Sequence, residues 1–123
     1  MNIYESLHEV GRSSPAPLHA ADIVARALGN EDPICRESLD LFCAILGSAA
    51  GDLALLLNAE AVFIAGGIVP RLVDFLGRSH FRARFEAKGR YAAHLARVPT
   101  LVVTEKYAGL IGAAVHLFQQ KLV

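Results

Sequence analysis

Two short apolar runs constrain the fold of this chain more than any other feature. Residues 61–65 (AVFIA) are wholly apolar, and residues 98–104 (VPTLVVT) have an apolar interior. The absence of polar alternation predicts strands covered on both faces, as in a parallel or mixed sheet. A stable sheet generally needs three or more strands. The sequence therefore predicts a segment that is completed by a partner or belongs to a larger α/β protein.

Helical periodicity accounts for most of the remaining chain. Short helices are predicted over residues 3–10 and 20–28, separated by a surface loop at residues 11–17 (GRSSPAP). Further helical segments are predicted over residues 70–77, 79–87, 91–96 and 108–119. We find no internal repeat and no domain boundary sharper than that loop. The predicted architecture is α/β, helix-rich, with about two strands.

A long helix is predicted between Asp32-Pro33, a good N-cap and first-turn pair, and Asn58. Two of its faces are expected to be in contact with other elements. One is an apolar stripe and the other consists of small residues: Leu39, Phe42, Leu46, Ala49, Leu53 and Leu56 form the stripe, and Gly47, Ala50, Gly51 and Ala54 form the small-residue face. The uncharged part, between Asp40 and Asp52, has about half of the ~20 residues that a bilayer requires, which indicates a buried helix.

Composition excludes several classes of function. The formal net charge is +0 and no basic cluster occurs, so nucleic-acid binding is not expected. The N-terminal residues predict no secretory signal. Cys35 and Cys43 lack the spacing of a redox pair or zinc site, which predicts two reduced thiols on a helix in a cytoplasmic protein. A hydrophobic content of 54% with a mean hydropathy of +0.39 predicts apolar surface that meets a partner or a missing segment.

The strongest local pattern is the glycine pair Gly66-Gly67 directly after the first predicted strand. Strand ends of open α/β sheets bind ligands, and glycines let a flat ligand approach the backbone. A tight turn explains the pair equally well. Neither GxGxxG nor GxxxxGK[ST] is present, so the pair favours contact with a base or sugar over a cradled phosphate. Gly109 and Gly112, taken alone, favour close helix packing.

Longer stretches then resemble one family. Residues 63–71 (FIAGGIVPR) look like the adenosine motif of bacterial glucokinases, which belong to the sugar kinase, actin and Hsp70 superfamily. Three further stretches agree in order and spacing: residues 41–55 on the long helix, residues 81–90, and Gly109 to Gly112. The resemblance covers nearly the whole chain, from about Asn2 onward. It departs at Lys106-Tyr107-Ala108, where family members often carry Asn-Pro or a similar pair.

The resemblance implies an ATP-dependent kinase that phosphorylates the 6-hydroxyl of glucose in glycolysis, with Mg²⁺ bridging the phosphates. The chain would be the C-terminal part of the large lobe of a ribonuclease H-like, actin-like kinase fold. Gly66 and Gly67 would contact adenine and ribose with Ile68 beside them, and Gly109 and Gly112 would lie in the segment that connects the two lobes. The partners implied are glucose, ATP and a second copy in a homodimer, with no membrane and no nucleic acid.

No catalytic residue is assigned to this chain. The phosphate-binding glycine motif, the catalytic aspartate and the sugar-binding residues of the family have no counterpart here, and we expect them upstream of residue 1. The isolated chain is therefore predicted to be inactive, with weak nucleotide affinity at best. The five histidines and Asp22, Asp52 and Asp74 are interpreted as structural or solvated. The alternating charges of Arg82, Arg84, Glu86, Lys88 and Arg90 predict an exposed helix face.

Two other functions remain open at this point. The chain could act as an interaction module that associates with itself through uncovered apolar surface. It could also act as a stand-alone nucleotide sensor, which would require a complete pocket.

Overall fold

The computed structural model describes residues 2–11 and 17–121, so most of the loop predicted over residues 11–17 lies outside the described residues. Seven α-helices and two strands occur in this part of the chain. They are α1 (Ile3–Val10), α2 (Ala20–Leu28), α3 (Pro33–Leu56), β1 (Val62–Ile64), α4 (Val73–Leu76), α5 (Phe81–Glu86), α6 (Ala92–Leu95), β2 (Thr100–Val102) and α7 (Ala108–Lys121). Two 3₁₀ turns, Val69–Arg71 and Gly89–Tyr91, precede α4 and α6.

The predicted helix starts are confirmed by their caps. Asn2 and Glu5 form a capping box at the start of α1, in which each side chain accepts a hydrogen bond from the other's backbone N–H. Asp32 is the N-cap of α3 and Pro33 occupies its first turn. The long helix ends at Leu56, and Asn58 follows in a left-handed conformation with φ of 47°. These local signals fix the start and end of the central helix.

The small-residue face of α3 is buried as predicted. A Cβ built on Gly47 would overlap the carbonyl oxygen of Phe81, and one built on Gly51 would overlap that of Phe85. Glycine at these two positions lets α5 pack directly on the backbone of α3. Phe85 itself is fully buried, and Phe81 is 3% exposed. The contact between α3 and α5 is thus the centre of the packed core.

The expectation that the apolar stripe of α3 is buried along its whole length is wrong. Leu39 is buried, but Leu53 is 56% and Leu56 79% exposed. The reason is that α5 packs on the small-residue face, where backbones approach most closely, and no described element covers the C-terminal part of the stripe. By length and composition alone α3 could cross a bilayer. It nevertheless packs against α1, α2, α5 and α6, as a core helix does.

The two strands pair in parallel, with Val62 opposite Thr100 and Ile64 opposite Val102. Ile64 is buried, whereas Phe63 on the opposite face is 67% exposed. The expectation that both faces would be covered is therefore wrong for this chain. Its physical reason is that the described helices cover one face only, and α7 leaves every described side chain from Gly109 to Gln120 exposed.

The charged residues after Phe81 do not form a simple exposed face, which corrects that prediction. The Arg82 guanidinium donates hydrogen bonds to the carbonyl oxygens of Leu95, Ala96 and Val98, at 3.0, 3.0 and 2.9 Å. The Lys88 side chain is only 12% exposed and its Nζ lies 2.6 Å from Asp52 Oδ1 on α3. Both side chains tie the α5 region to neighbouring elements because their long stems reach past the helix surface.

Candidate functional site

Parallel pairing brings the carboxyl ends of β1 and β2 to the same edge. The pairing extends one residue further, since the Val103 N–H donates to the carbonyl oxygen of Ile64 at 2.9 Å. Gly66 and Gly67 follow β1 at this edge, and residues 104–106 follow β2 beside them. Such an edge is where open α/β sheets bind ligands. The fold therefore places the predicted glycine pair at the carboxyl edge of the parallel pair.

The two glycines serve different purposes. Gly66 has φ of 141°, a conformation that side-chain-bearing residues rarely adopt, so the turn itself requires glycine there. Gly67 does not have a positive φ, and a Cβ built on it would meet no atom within 4 Å. Nothing within the described fold demands glycine at position 67. Its missing side chain leaves the backbone open to an outside molecule.

A cleft of about 510 Å³ lies at this edge, and we call it the carboxyl-edge cleft. Its volume is in the range of small-molecule sites, ~300–1,000 Å³. It is lined by residues from the β1 turn, the end of β2 and the start of α7: Ala65, Gly66, Gly67, Pro70, Arg71, Val103, Thr104, Glu105, Lys106, Ala108 and Gly109. The cleft thus gathers two segments that are distant in sequence, residues 65–71 and residues 103–109.

The electrostatics of the carboxyl-edge cleft favour an anion. Arg71 and Lys106 line it from opposite segments, and Glu105 is the only acidic residue in the lining. The N-terminus of α7, at Ala108 and Gly109, also faces the cleft, and the first N–H groups of a helix carry partial positive charge. The Glu105 carboxylate is already engaged, since its Oε1 accepts from the Tyr107 N–H at 3.1 Å.

The fold brings together only some of the residues singled out from the sequence. Gly66, Gly67 and Gly109 line the cleft, whereas Gly112 does not. Ile68 is 40% exposed and lines a different, apolar groove. Arg71 and Lys106 were not assigned a role from the sequence. The signal that could have found them is their position, each a few residues beyond a buried strand.

Titratable groups elsewhere serve the fold. The Asp40 carboxylate accepts from the His80 backbone N–H at 2.9 Å and also pairs with its ring Nδ1. Burial raises the pKa of the Cys35 thiol to about 11 and raises that of Cys43, so both remain protonated and poorly nucleophilic. Both cysteines are free and buried and lie on α3, in agreement with the predicted helix position. No cluster of three potential metal ligands occurs in the part of the chain described.

Known proteins matching this chain share both its sequence and its fold. The family model described as glucokinase matches residues 1–120. The chain belongs to the glucokinase family. The glucokinase of Neisseria gonorrhoeae is 47% identical over 116 residues, and that of Xanthomonas campestris is 47% identical over 117; each match covers 94% of this chain and 35% of the relative. This chain therefore spans about a third of the length of these glucokinases.

A solved structure agrees with the sequence match. The crystal structure of a glucokinase from an Antarctic psychrotroph superimposes with a TM-score of 0.84 at 40% sequence identity, and covers 95% of this chain and 37% of that one. The family predicted from the adenosine-like motif is confirmed. The glucokinase match includes both strands and every residue that lines the carboxyl-edge cleft.

Proposed function

We propose that this chain is the nucleotide-side portion of the large lobe of a glucokinase, which transfers a phosphoryl group from ATP to the 6-hydroxyl of glucose in the cytoplasm. The backbone atoms of Gly66 and Gly67 contact the nucleotide in the carboxyl-edge cleft. The observation that carries the proposal is Gly67, a glycine that the fold does not require, placed at the carboxyl edge of a parallel pair.

The charges of the cleft fit the phosphate portion of ATP. Arg71 and Lys106 can each donate hydrogen bonds to phosphate oxygens, and the N-terminus of α7 adds its backbone N–H groups. Binding and orientation are the tasks these residues can perform. From the sequence we expected the glycines to contact base and sugar. The cations beside them also favour an anionic group, so we propose that the cleft holds phosphate as well.

The cleft offers a magnesium ion a single carboxylate, and no group of three potential metal ligands occurs in the part of the chain that the structure describes. Glu105 is the one carboxylate in the cleft, and its Oε1 is bonded to a backbone N–H. Mg²⁺ bound by proteins takes one or two carboxylates together with waters and substrate phosphates. We therefore assign no magnesium ligand to this chain and derive no step through the ion.

The remaining chemistry requires groups that this chain does not supply. Phosphoryl transfer needs a residue that orients the attacking hydroxyl and further charge to neutralise the phosphates. We assign no residue of the carboxyl-edge cleft as a base on glucose, and its one carboxylate, Glu105, accepts a hydrogen bond from the Tyr107 N–H. We expect the isolated chain to bind nucleotide weakly and to release no ADP with glucose and ATP in a coupled assay.

The test is a glycine substitution at position 67. A Gly67→Ala variant should fold as the parent does, because its Cβ meets open space, yet bind ADP more weakly in an NMR titration of the 123-residue chain. Gly77→Ala is the matched control, since its Cβ would come no closer than 3.8 Å to any atom and lies outside the cleft. Unchanged ADP affinity in Gly67→Ala would contradict the assignment of the cleft.

Exposed apolar surface on the sheet and on α7 supports a second function. Phe63 is 67% exposed on the open face of the sheet, and α7 exposes Leu110 and Phe118, each at 72%. Apolar surface of this extent favours association. We propose that the isolated chain associates with itself through these two surfaces. Sedimentation should show mass above 13.2 kDa at high concentration, reduced by Phe63→Ser; a single monomeric species would contradict it.

A further inference from the structure

The alignment of the two strands determines the shape of the carboxyl-edge cleft. Arg71 follows β1 and Lys106 follows β2, so the distance between these two cations depends on the register of the pair. A slip of one residue would move Lys106 by ~3.3 Å along the sheet. The placement of the cations that line the cleft therefore requires a fixed register.

The strands themselves specify this register weakly. Each contributes three paired residues, and no third strand joins them in the described part of the chain. An isolated pair this short is marginally stable. Alternation of apolar and polar residues fixes the register of many strands, but residues 61–65 are wholly apolar. The register therefore needs support from outside the strand pair.

Helix α5 provides a support that is fixed to α3. Its backbone packs on that of α3, and both of its ends are bonded to that helix as well. At the start, the His80 N–H donates to the Asp40 carboxylate at 2.9 Å. Beyond the end, the Lys88 Nζ lies 3.1 Å from Ser48 Oγ. Helix α3 leads directly into β1 through residues 57–61, so α5 and β1 share one frame.

Arg82 connects α5 to the start of β2. Its Nη1 donates to the Val98 carbonyl oxygen at 2.9 Å and lies 3.5 Å from Thr100 Oγ1. Between these two residues, the Pro99 carbonyl oxygen accepts from the Val62 N–H at 2.9 Å, which is the hydrogen bond at the start of the strand pair. Arg82 therefore holds β2 at the point where its alignment with β1 is set.

All three nitrogens of the Arg82 guanidinium have acceptors. Besides the contacts of Nη1, Nε donates to the Glu86 carboxylate on the same helix, and Nη2 donates to the carbonyl oxygens of Leu95 and Ala96, each at 3.0 Å. The planar guanidinium fixes the directions of these bonds relative to one another. The single ammonium of a lysine could not reproduce them.

We propose that Arg82 is a positioning residue for anion binding: it fixes the register of β2 against β1 and thereby the placement of Lys106 relative to Arg71. This inference rests on the proposed function of the carboxyl-edge cleft. Arg82 does not line the cleft, so it acts through β2. Its removal should weaken phosphate binding although no group that faces the ligand is lost.

The experiment measures pyrophosphate and ADP binding by NMR titration of the 123-residue chain and its Arg82→Met and Arg82→Lys variants. Both variants should bind each probe about tenfold more weakly, because a displaced Lys106 loses about one hydrogen bond to a charged group. Arg82→Lys keeps the charge, so full affinity in this variant would overturn the proposal. It also serves as the test variant should Arg82→Met unfold.

Hydrogen exchange tests the register directly. The N–H groups of Val62 and Val103 form the hydrogen bonds at the two ends of the strand pair. In Arg82→Met they should exchange faster relative to the N–H groups within α3, because the pair opens without the rest of the fold. Unchanged relative exchange at both positions would overturn a role through the register, since a residue that only stabilises the fold changes all these groups together.

Two controls separate position from charge and from stability. Arg84→Met removes the same charge from the same helix, and Arg84 lies outside the cleft. Asp32→Ala removes the N-cap of α3, also outside the cleft. Both should leave pyrophosphate affinity unchanged. A loss in either control equal to that in Arg82→Met would overturn the positioning role.

The inference and the function on which it rests fail in different ways. Binding of both probes by the parent chain, with unchanged affinity in Arg82→Met and Arg82→Lys, would overturn the positioning role and leave the cleft assignment intact. Absence of any binding by the parent chain at millimolar concentration would overturn both.

Discussion

The Cα of Gly47 on α3 lies directly against the backbone of Phe81 at the start of α5. A Cβ at position 47 would overlap the Phe81 carbonyl oxygen and stand 3.0 Å from its Cα. Gly51, one turn later, has the same relation to Phe85. The two helices therefore meet backbone to backbone, and this contact anchors the helix that leads into β1 and the glycine turn.

We expect Gly47→Ala to destabilise the chain by about 2 kcal/mol or more, because the new methyl group has to displace the backbone of α5. The reason is steric, since alanine is otherwise the better helix former by about 1 kcal/mol. Urea unfolding followed by circular dichroism measures the loss. Gly112→Ala on the exposed α7, where a Cβ meets no atom within 4 Å, should cost nothing. Equal unfolding midpoints for Gly47→Ala and the parent would contradict the packing described.

Arg82 is expected to stabilise the fold because it binds the C-terminal end of α6. The last carbonyl groups of a helix lack partners within the helix, and Arg82 donates to those of Leu95 and Ala96 and to that of Val98. Its guanidinium also lies 4.9 Å from the Phe85 ring centroid. Arg82→Met should lower the free energy of unfolding by about 2 kcal/mol, the value of about one hydrogen bond to a charged group, because the guanidinium is partly exposed and water replaces part of its bonds.

Arg84→Met is the matched control for Arg82, because Arg84 lies on the same helix and is exposed. It should change the free energy of unfolding by less than about 0.5 kcal/mol. The two variants are compared by urea unfolding under identical conditions. Similar losses for both would show that the carbonyl contacts of Arg82 contribute little.

Local sequence signals predicted most of the elements and part of the site. Asp32-Pro33 gave the start of α3, and the apolar runs gave both strands, because caps and buried strands depend on neighbouring residues. The glycine pair was found for the same reason. The role of Arg82 was missed because its partners lie 13 to 16 residues away, at Leu95, Ala96 and Val98. Burial of the strands was overestimated, since the described helices cover one face of the sheet and leave Phe63 exposed on the other.

The cations of the carboxyl-edge cleft could not be recognised from local pattern. Arg71 and Lys106 are 35 positions apart and become neighbours only because β1 and β2 pair in parallel. The apolar groove lined by Ile68 is likewise a product of tertiary packing, since its walls come from α1, α2, α3 and the turn after β1. Sequence periodicity assigns a residue to a helix face and does not say which faces meet.

The buried thiol of Cys35 predicts a loss of stability in alkaline solution. Burial raises its pKa from 9.0 to about 11, so between these values the unfolded chain loses the proton while the folded chain keeps it. The free energy of unfolding should therefore fall by up to about 2 kcal/mol as the pH rises through this window. Cys35→Ala should lack this component, so the stability difference between parent and variant narrows from pH 7 to pH 10.5. A difference independent of pH would contradict the buried thiol.

For Asp32, the N-cap of α3, we predict a loss of stability in acid rather than in alkali. Burial alone would raise the pKa of Asp32, but hydrogen bonds from the N–H groups of Cys35 and Ile34, at 3.3 and 2.8 Å, outweigh it and lower the pKa below 3.8. A depressed pKa stabilises the fold above the unfolded value, and this contribution is lost as the pH falls through the folded value. Asp32→Ala should cost about 1 kcal/mol at pH 7 and clearly less at pH 3, measured by urea unfolding at both values.

Asp32→Asn keeps the acceptor without the charge, so its stability relative to Asp32→Ala should not depend on pH. If Asp32→Ala lost as much stability at pH 3 as at pH 7, the cap would act through its geometry alone and not through its charge.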